Sequence, residues 1–234
     1  MSLKDLSESL RKIADPEIAE HFQRFFKTGK GEYGEGDKFL GIRVPVLRKH
    51  AGKYRHMKLP EIKKLIKSEY HEERLCALFL LVEKYKKGSE EEKRVLCNFY
   101  MNSTKYINNW DLVDSSAPYI AGDYFENKDK KPLYDFAVSG DMWKRRIAIL
   151  STFHMIRKNS FDDALKISEI LVKDEEDLIH KAVGWMLREI GKRNIVSEKK
   201  FLKKYYKEMP RTMLRYAIEK YPEAERQRYL KGKI

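Results

Sequence analysis

Lys181-Ala-Val-Gly-Trp-Met-Leu187 has a pattern that two other segments of the chain repeat. Arg74-Leu-Cys-Ala-Leu78 and Arg145-Arg-Ile-Ala-Ile-Leu150 align with it on a leading basic residue. Each carries a small residue three positions later: Ala77, Ala148 and Gly184. The leading residues lie 71 and 36 positions apart. Halving the longer gap predicts an unseen member near position 110, where a tryptophan stands.

A period of about 36 residues, two helices to the repeat, is the pattern of HEAT-type repeats. The small residues would let paired helices approach closely. No alternating strand pattern of useful length occurs. The expected fold is therefore all-α, an α-solenoid superhelix of HEAT-like helical repeats, with residues 1–234 as a single domain and a concave groove. Helices are expected over about residues 3–14, 16–28, 46–55, 60–68, 71–87, 90–102, 160–172 and 195–208, and a capping pair over 210–221 and 223–230. Pro16 after Asp15 fits a first helical residue after its N-cap.

Composition narrows the function classes. In 234 residues, 42% are hydrophobic and 12% aromatic, enough for a core and against global disorder. Lys and Arg number 49 against 36 acidic residues, a net charge of +13. That excess points to a polyanion, most often nucleic acid and sometimes a membrane surface. No run approaches 18 apolar residues, so no membrane span is expected. The start, Met1-Ser-Leu-Lys-Asp, has no apolar core of a secretory signal. Cys76 and Cys97 are too few for a disulfide framework and read as reduced core thiols of a cytoplasmic protein.

Gly29, Gly31 and Gly34 satisfy G-x-G-x-x-G, yet a Phe-rich helix precedes them and polar loop residues follow, which excludes the dinucleotide reading. The expectation is an ordered loop, able to meet phosphates through its backbone amides. None of the six histidines forms an H-E-x-x-H pair, and His71-Glu-Glu reads as helix-start surface. No metal and no cofactor are called for. Lys199, Lys200, Lys203 and Lys204 make a basic cluster able to meet phosphate, and read first as a solvated face.

Asn108-Asn-Trp-Asp-Leu-Val-Asp-Ser-Ser-Ala-Pro118 carries the unusual chemistry. Either asparagine can cap a helix. Asp111 would then sit in the first turn, suiting the helix dipole. Trp110 and Asp114, four apart, would share a face. Counted from repeat origins at 110, 145 and 181, Trp110 is at offset 0, Arg146 at 1, Asp114 and Trp185 at 4, and Arg188 at 7. At roughly 100° per residue these fall in a sector about 120° wide. Stacked in register, they would line one surface of the solenoid.

Together, Phe39-Leu-Gly-Ile-Arg-Val-Pro45, Trp110-Asp-x-x-Asp114, Trp143-Lys-Arg-Arg146-x-Ala-Ile-Leu and Lys181-Ala-x-Gly-Trp185-x-Leu-Arg188-Glu form a pattern. It resembles the AlkD-like DNA alkylation repair family of HEAT-repeat DNA glycosylases, over about residues 20–220. The resemblance implies excision of N3- and N7-alkylated purines from duplex DNA held in the concave groove. It implies Asp114 as the catalytic aspartate, Trp110 and Trp185 as active-site tryptophans, and Arg146 and Arg188 at the DNA backbone. It further implies a monomer that associates with the nucleoid through DNA. One departure is visible: Asn109 stands where familiar members place the first of two tryptophans.

The residue types suit that chemistry. A cationic alkylpurine is already a good leaving group and needs no general acid. Bond cleavage builds positive charge on the sugar. A fixed carboxylate stabilises that charge and orients water, indole faces favour a nearby cation, and arginine forks hold phosphate. Two other readings remain open: a non-catalytic binder of damaged or branched DNA, and a HEAT scaffold for protein partners.

Overall fold

The computed structural model describes residues 2–234, and among these every regular element is helical. The one extended pairing is an isolated parallel bridge between Lys38 and Tyr70. No described helix is long and apolar enough to cross a membrane. The chain forms two compact units, one ending at Ser116 and the other beginning at Ala117.

The first unit holds α1 (Leu3–Arg11), α2 (Pro16–Phe25), α3 (Val44–Lys53), α4 (Leu59–Leu65), α5 (His71–Lys87), α6 (Glu90–Met101) and α7 (Trp110–Asp114). Ser2, Asp15 and Ser89 cap α1, α2 and α6 through their side-chain oxygens. At its centre lies α5, which packs against α3, α4, α6 and α7. Every residue from His71 to Val82 is buried. Each buried leucine on this helix contributes about 1.5–3 kcal/mol. Cys76 and Cys97 are free thiols in this core. Burial, with the nearby Glu73 charge, pushes the Cys76 thiol up to about 12.

The second unit holds a π-helical turn (Pro118–Gly122), α8 (Lys131–Ala137), α9 (Met142–Arg157), α10 (Asp162–Ile170), α11 (Asp177–Gly191), α12 (Ile195–Tyr205), α13 (Arg211–Ala217) and α14 (Glu223–Leu230). The helix α11 buries Ile179, Ala182, Val183, Met186, Leu187 and Ile190 completely, the three-and-four spacing of an amphipathic helix. It packs against α9 on one side and α13 on another. Gly184 makes the second contact possible: a Cβ there would lie 2.5 Å from both the Met213 carbonyl oxygen and Tyr216 Cβ.

Two of the three aligned basic residues make the same contact. Arg74 donates to the Ser68 carbonyl at 3.1 Å, and Arg145 donates to the Ser139 carbonyl at 2.9 Å. Each therefore ties its helix to the turn that precedes it. The member expected near 110 is α7, which begins at Trp110. It stops after five residues. Pro118, four residues beyond Asp114, has no N–H for that carbonyl, and the ladder shifts to a π-type bond from Gly122 N to the Ala117 carbonyl at 2.9 Å. The helix α8 was not expected from the sequence.

Candidate functional site

Trp110 and Asp114 open and close α7, one helical turn apart, and both are partly exposed. Asn109 is the N-cap: its side-chain oxygen accepts from Trp110 N at 2.8 Å, and the residue is fully buried. The Trp110 indole lies on Phe26 (centroids 5.4 Å apart, planes at 20°) with the Phe25 ring edge-on at 6.0 Å. Phe26 in turn stacks on Phe39 at 5.0 Å, and Phe39 on the His71 imidazole at 4.6 Å. Beneath α7, Tyr100 is completely buried and bonded to Ser116 at 2.9 Å. Burial holds its hydroxyl protonated against the Ser116 hydrogen bond, and the charges of Cys97 and Asp114 act the same way as burial.

His71-Glu-Glu, expected at the surface, is buried, with His71 only 1% exposed. Each of the three side chains has an internal partner. Glu72 accepts the amides of Leu40, Gly41 and Ile42 at 2.9, 2.8 and 3.1 Å. This pins the Phe39–Ile42 segment, where Gly41 adopts φ +80 directly against the Asp15 carbonyl. Glu73 accepts from Ser68 at 2.6 Å. His71 Nε2 lies 2.8 Å from Asp111 Oδ2, and its Nδ1 lies 2.9 Å from Asp37 Oδ2. Arg74 donates to the second Asp37 oxygen and to Asn108 Oδ1. Burial alone would lower the His71 pKa, but Asp111 and Asp37 outweigh it and push it up to about 9. Burial opposes the Asp37 charge as well, yet the hydrogen bond from His71 and the Arg74 charge hold its carboxyl below the usual carboxylate range.

In the ordered glycine loop, two glycine amides are occupied. Gly29 N and Gly31 N donate to Glu32 and Glu35 side chains, both at 2.8 Å. Those amides are therefore not open to a phosphate, and the loop's contribution is Asp37 and Phe39.

In the second unit, Lys181, Trp185 and Arg188 follow one another at four- and three-residue spacing and so share a face of α11. All three are partly exposed. Trp185 rests against Phe153 of α9 at 5.5 Å. The Arg157 guanidinium lies 4.1 Å over the same Phe153 ring and 5.7 Å over Tyr119. Arg188 is paired with Glu219. Arg146, expected on a DNA-facing surface, is 5% exposed and donates to the Leu178 carbonyl. Its helical phase turns it into the unit, where that carbonyl accepts from one guanidinium nitrogen. The lysines of α12 are exposed, Lys199 paired with Glu225 and Lys204 with Glu169.

Asp37, His71 and Arg74 were not among the sequence candidates. One signal was available: His71 and Trp110 each begin a helix of the repeat, so neighbouring helix starts bring His71 beside Asp111.

Comparison with known proteins agrees with this architecture. A family model described as "DNA alkylation repair enzyme" matches residues 6–221. A solved structure titled as a predicted DNA alkylation repair enzyme from Enterococcus faecalis superposes with a TM-score of 0.71 at 18% identity, covering 90% of this chain and 97% of that one. The crystal structure of AlkD2 from Streptococcus mutans gives a TM-score of 0.55 at 18% identity, covering 95% and 100%. No curated protein matches the sequence.

Proposed function

The chain belongs to the DNA alkylation repair enzyme family, and on that premise we propose that it is a DNA glycosylase releasing cationic N3- and N7-alkylated purines from duplex DNA. The observation that carries this reading is α7: an aromatic-backed indole and a carboxylate, one turn apart and both partly open to solvent.

The chemistry follows from the charges. As the C1′–N bond breaks, its electron pair neutralises the cationic purine and positive charge appears on the sugar. The Asp114 carboxylate stabilises that charge. It then takes a proton as water attacks C1′, leaving free base and an abasic site. The Trp110 face favours the cationic base by roughly 0.5–2 kcal/mol. In the second unit, Trp185 is proposed as a stacking surface and Arg188 as a contact to backbone phosphate, both partly exposed. Arg146 is assigned to structure, because its side chain is buried and donates to the Leu178 carbonyl. The net charge of +13 suits a polyanionic substrate, and the chain is expected to act as a monomer.

The test is release of free 7-methylguanine and 3-methyladenine from methylated duplex DNA. The proposal expects both bases above the spontaneous rate. Tight duplex binding with no release would replace it with the non-catalytic reading, and failure to bind DNA would remove both.

A further inference from the structure

The His71 ring has a carboxylate oxygen at each nitrogen, 2.8 Å away at Nε2 and 2.9 Å away at Nδ1. Carboxylates only accept hydrogen bonds. Both nitrogens must therefore carry protons for both contacts to hold, and the ring is an imidazolium with 2% of its side chain exposed. One carboxylate, Asp37, belongs to the glycine loop. The other, Asp111, directly follows Trp110. The same ring is the foot of the stack that runs through Phe39 and Phe26 to the Trp110 indole. Polar and stacking contacts from one side chain thus converge on the first two residues of α7.

A five-residue helix has no stability of its own. Its direction depends on what holds it, and the helix it packs against is α5, which begins with His71. The charges around the ring balance. Asp37 faces it from the loop, Asp111 from α7, and Arg74, on the same helix as His71, pairs with Asp37. Glu72 and Glu73, next on α5, are turned to the loop amides and Ser68. Loss of the ring proton leaves a buried excess of one negative charge and one carboxylate without its donor.

We propose that His71, clamped between Asp37 and Asp111, is a positioning residue that sets the direction in which α7 projects Trp110 and Asp114. The link to catalysis rests on the glycosylase reading; the control of α7 does not.

Two measurements separate them. With Trp143→Phe and Trp185→Phe, Trp110 is the remaining indole, and its fluorescence is followed from pH 6 to 10. A transition as pH rises through about 9, absent after His71→Gln, is expected. A flat titration, or the same transition after His71→Gln, overturns the proposal. The second is single-turnover release of 7-methylguanine. The side-chain nitrogen of Gln matches Nε2 and reaches toward Asp111, whereas that of Asn matches Nδ1 and reaches toward Asp37. His71→Asn should therefore lose about 10²-fold in rate, with His71→Gln retaining more and duplex affinity unchanged. The wild-type rate should fall through the same alkaline range, a limb missing in His71→Gln. Equal losses in both variants with an unaltered pH profile mean a merely structural residue and overturn the proposal. No base release at all, with the His71-dependent fluorescence transition intact, removes the glycosylase reading and upholds the positioning of α7. Should His71→Asn fail to fold, the Trp110 titration alone decides.

Discussion

Asp111 and His71, 40 residues apart in sequence, meet at 2.8 Å where α7 and α5 begin. As a first-turn residue of an exposed helix, Asp111 would be dispensable to within about 1 kcal/mol. The contact changes that expectation. Its side chain is 13% exposed, and one oxygen accepts from a buried imidazolium. Asp111→Asn keeps an acceptor but removes the charge, so it should lower stability by about 1.5–3 kcal/mol. Asp111→Ala leaves a buried cation short of a partner and should cost about 3–5 kcal/mol. Urea unfolding of the two variants checks this; a change below about 0.5 kcal/mol for Asp111→Ala would contradict the buried pairing.

A second buried acid gives stability an alkaline limit. Glu198 of α12 is 1% exposed and accepts from Tyr221 at 2.9 Å. Burial pushes its carboxyl up to about 8, against the lowering effects of the Tyr221 hydrogen bond and the Lys199 charge. Its pKa is higher folded than unfolded, so the protonated form is the one the fold favours. The stabilisation is full below the unfolded value of 4.5 and is lost as pH rises through about 8. Between pH 6 and 9 the wild type should lose roughly 2–3 kcal/mol more than Glu198→Gln. Parallel urea midpoints for the two proteins across that range would contradict it.

The Arg188–Glu219 pair predicts how duplex binding responds to charge. Glu219 occupies the guanidinium that is assigned to phosphate. Glu219→Gln should tighten duplex binding at low salt, and Arg188→Ala should weaken it and flatten the slope of log K against log salt by about 0.9. Arg146→Ala should instead lower the melting temperature and leave the slope unchanged, since that side chain is buried. Fluorescence anisotropy at several salt concentrations reads all three. An unchanged slope for Arg188→Ala would remove it from the phosphate contact.

What was legible in the sequence was periodic or local. The aligned Arg74, Arg145 and Lys181 gave the repeat, and Gly184 gave the close helix approach. The pair Asn108 and Asn109 announced the start of α7, where Asn109 is the cap, and Pro16 the start of α2. Lys131-Pro132 carries the same kind of signal for α8. The charged cluster was hidden because its members are distant: Asp37 lies 34 residues from His71. A charged first turn such as His71-Glu-Glu-Arg74 reads as surface until its partners are known. Arg145 and Arg146 show a different limit. Neighbours on a helix point about 100° apart, so a one-residue choice decided between a turn-tying arginine and a buried one.

If the Asp114 carboxylate supports release of a cationic base, single-turnover release of 7-methylguanine by Asp114→Asn reads that role. Asparagine keeps the shape and removes the charge. The expected result is a rate reduced by about 10²–10³-fold, with folding intact and duplex binding retained or tightened as a carboxylate leaves the path of a polyanion. Wild-type-like release of 7-methylguanine by Asp114→Asn would contradict the account.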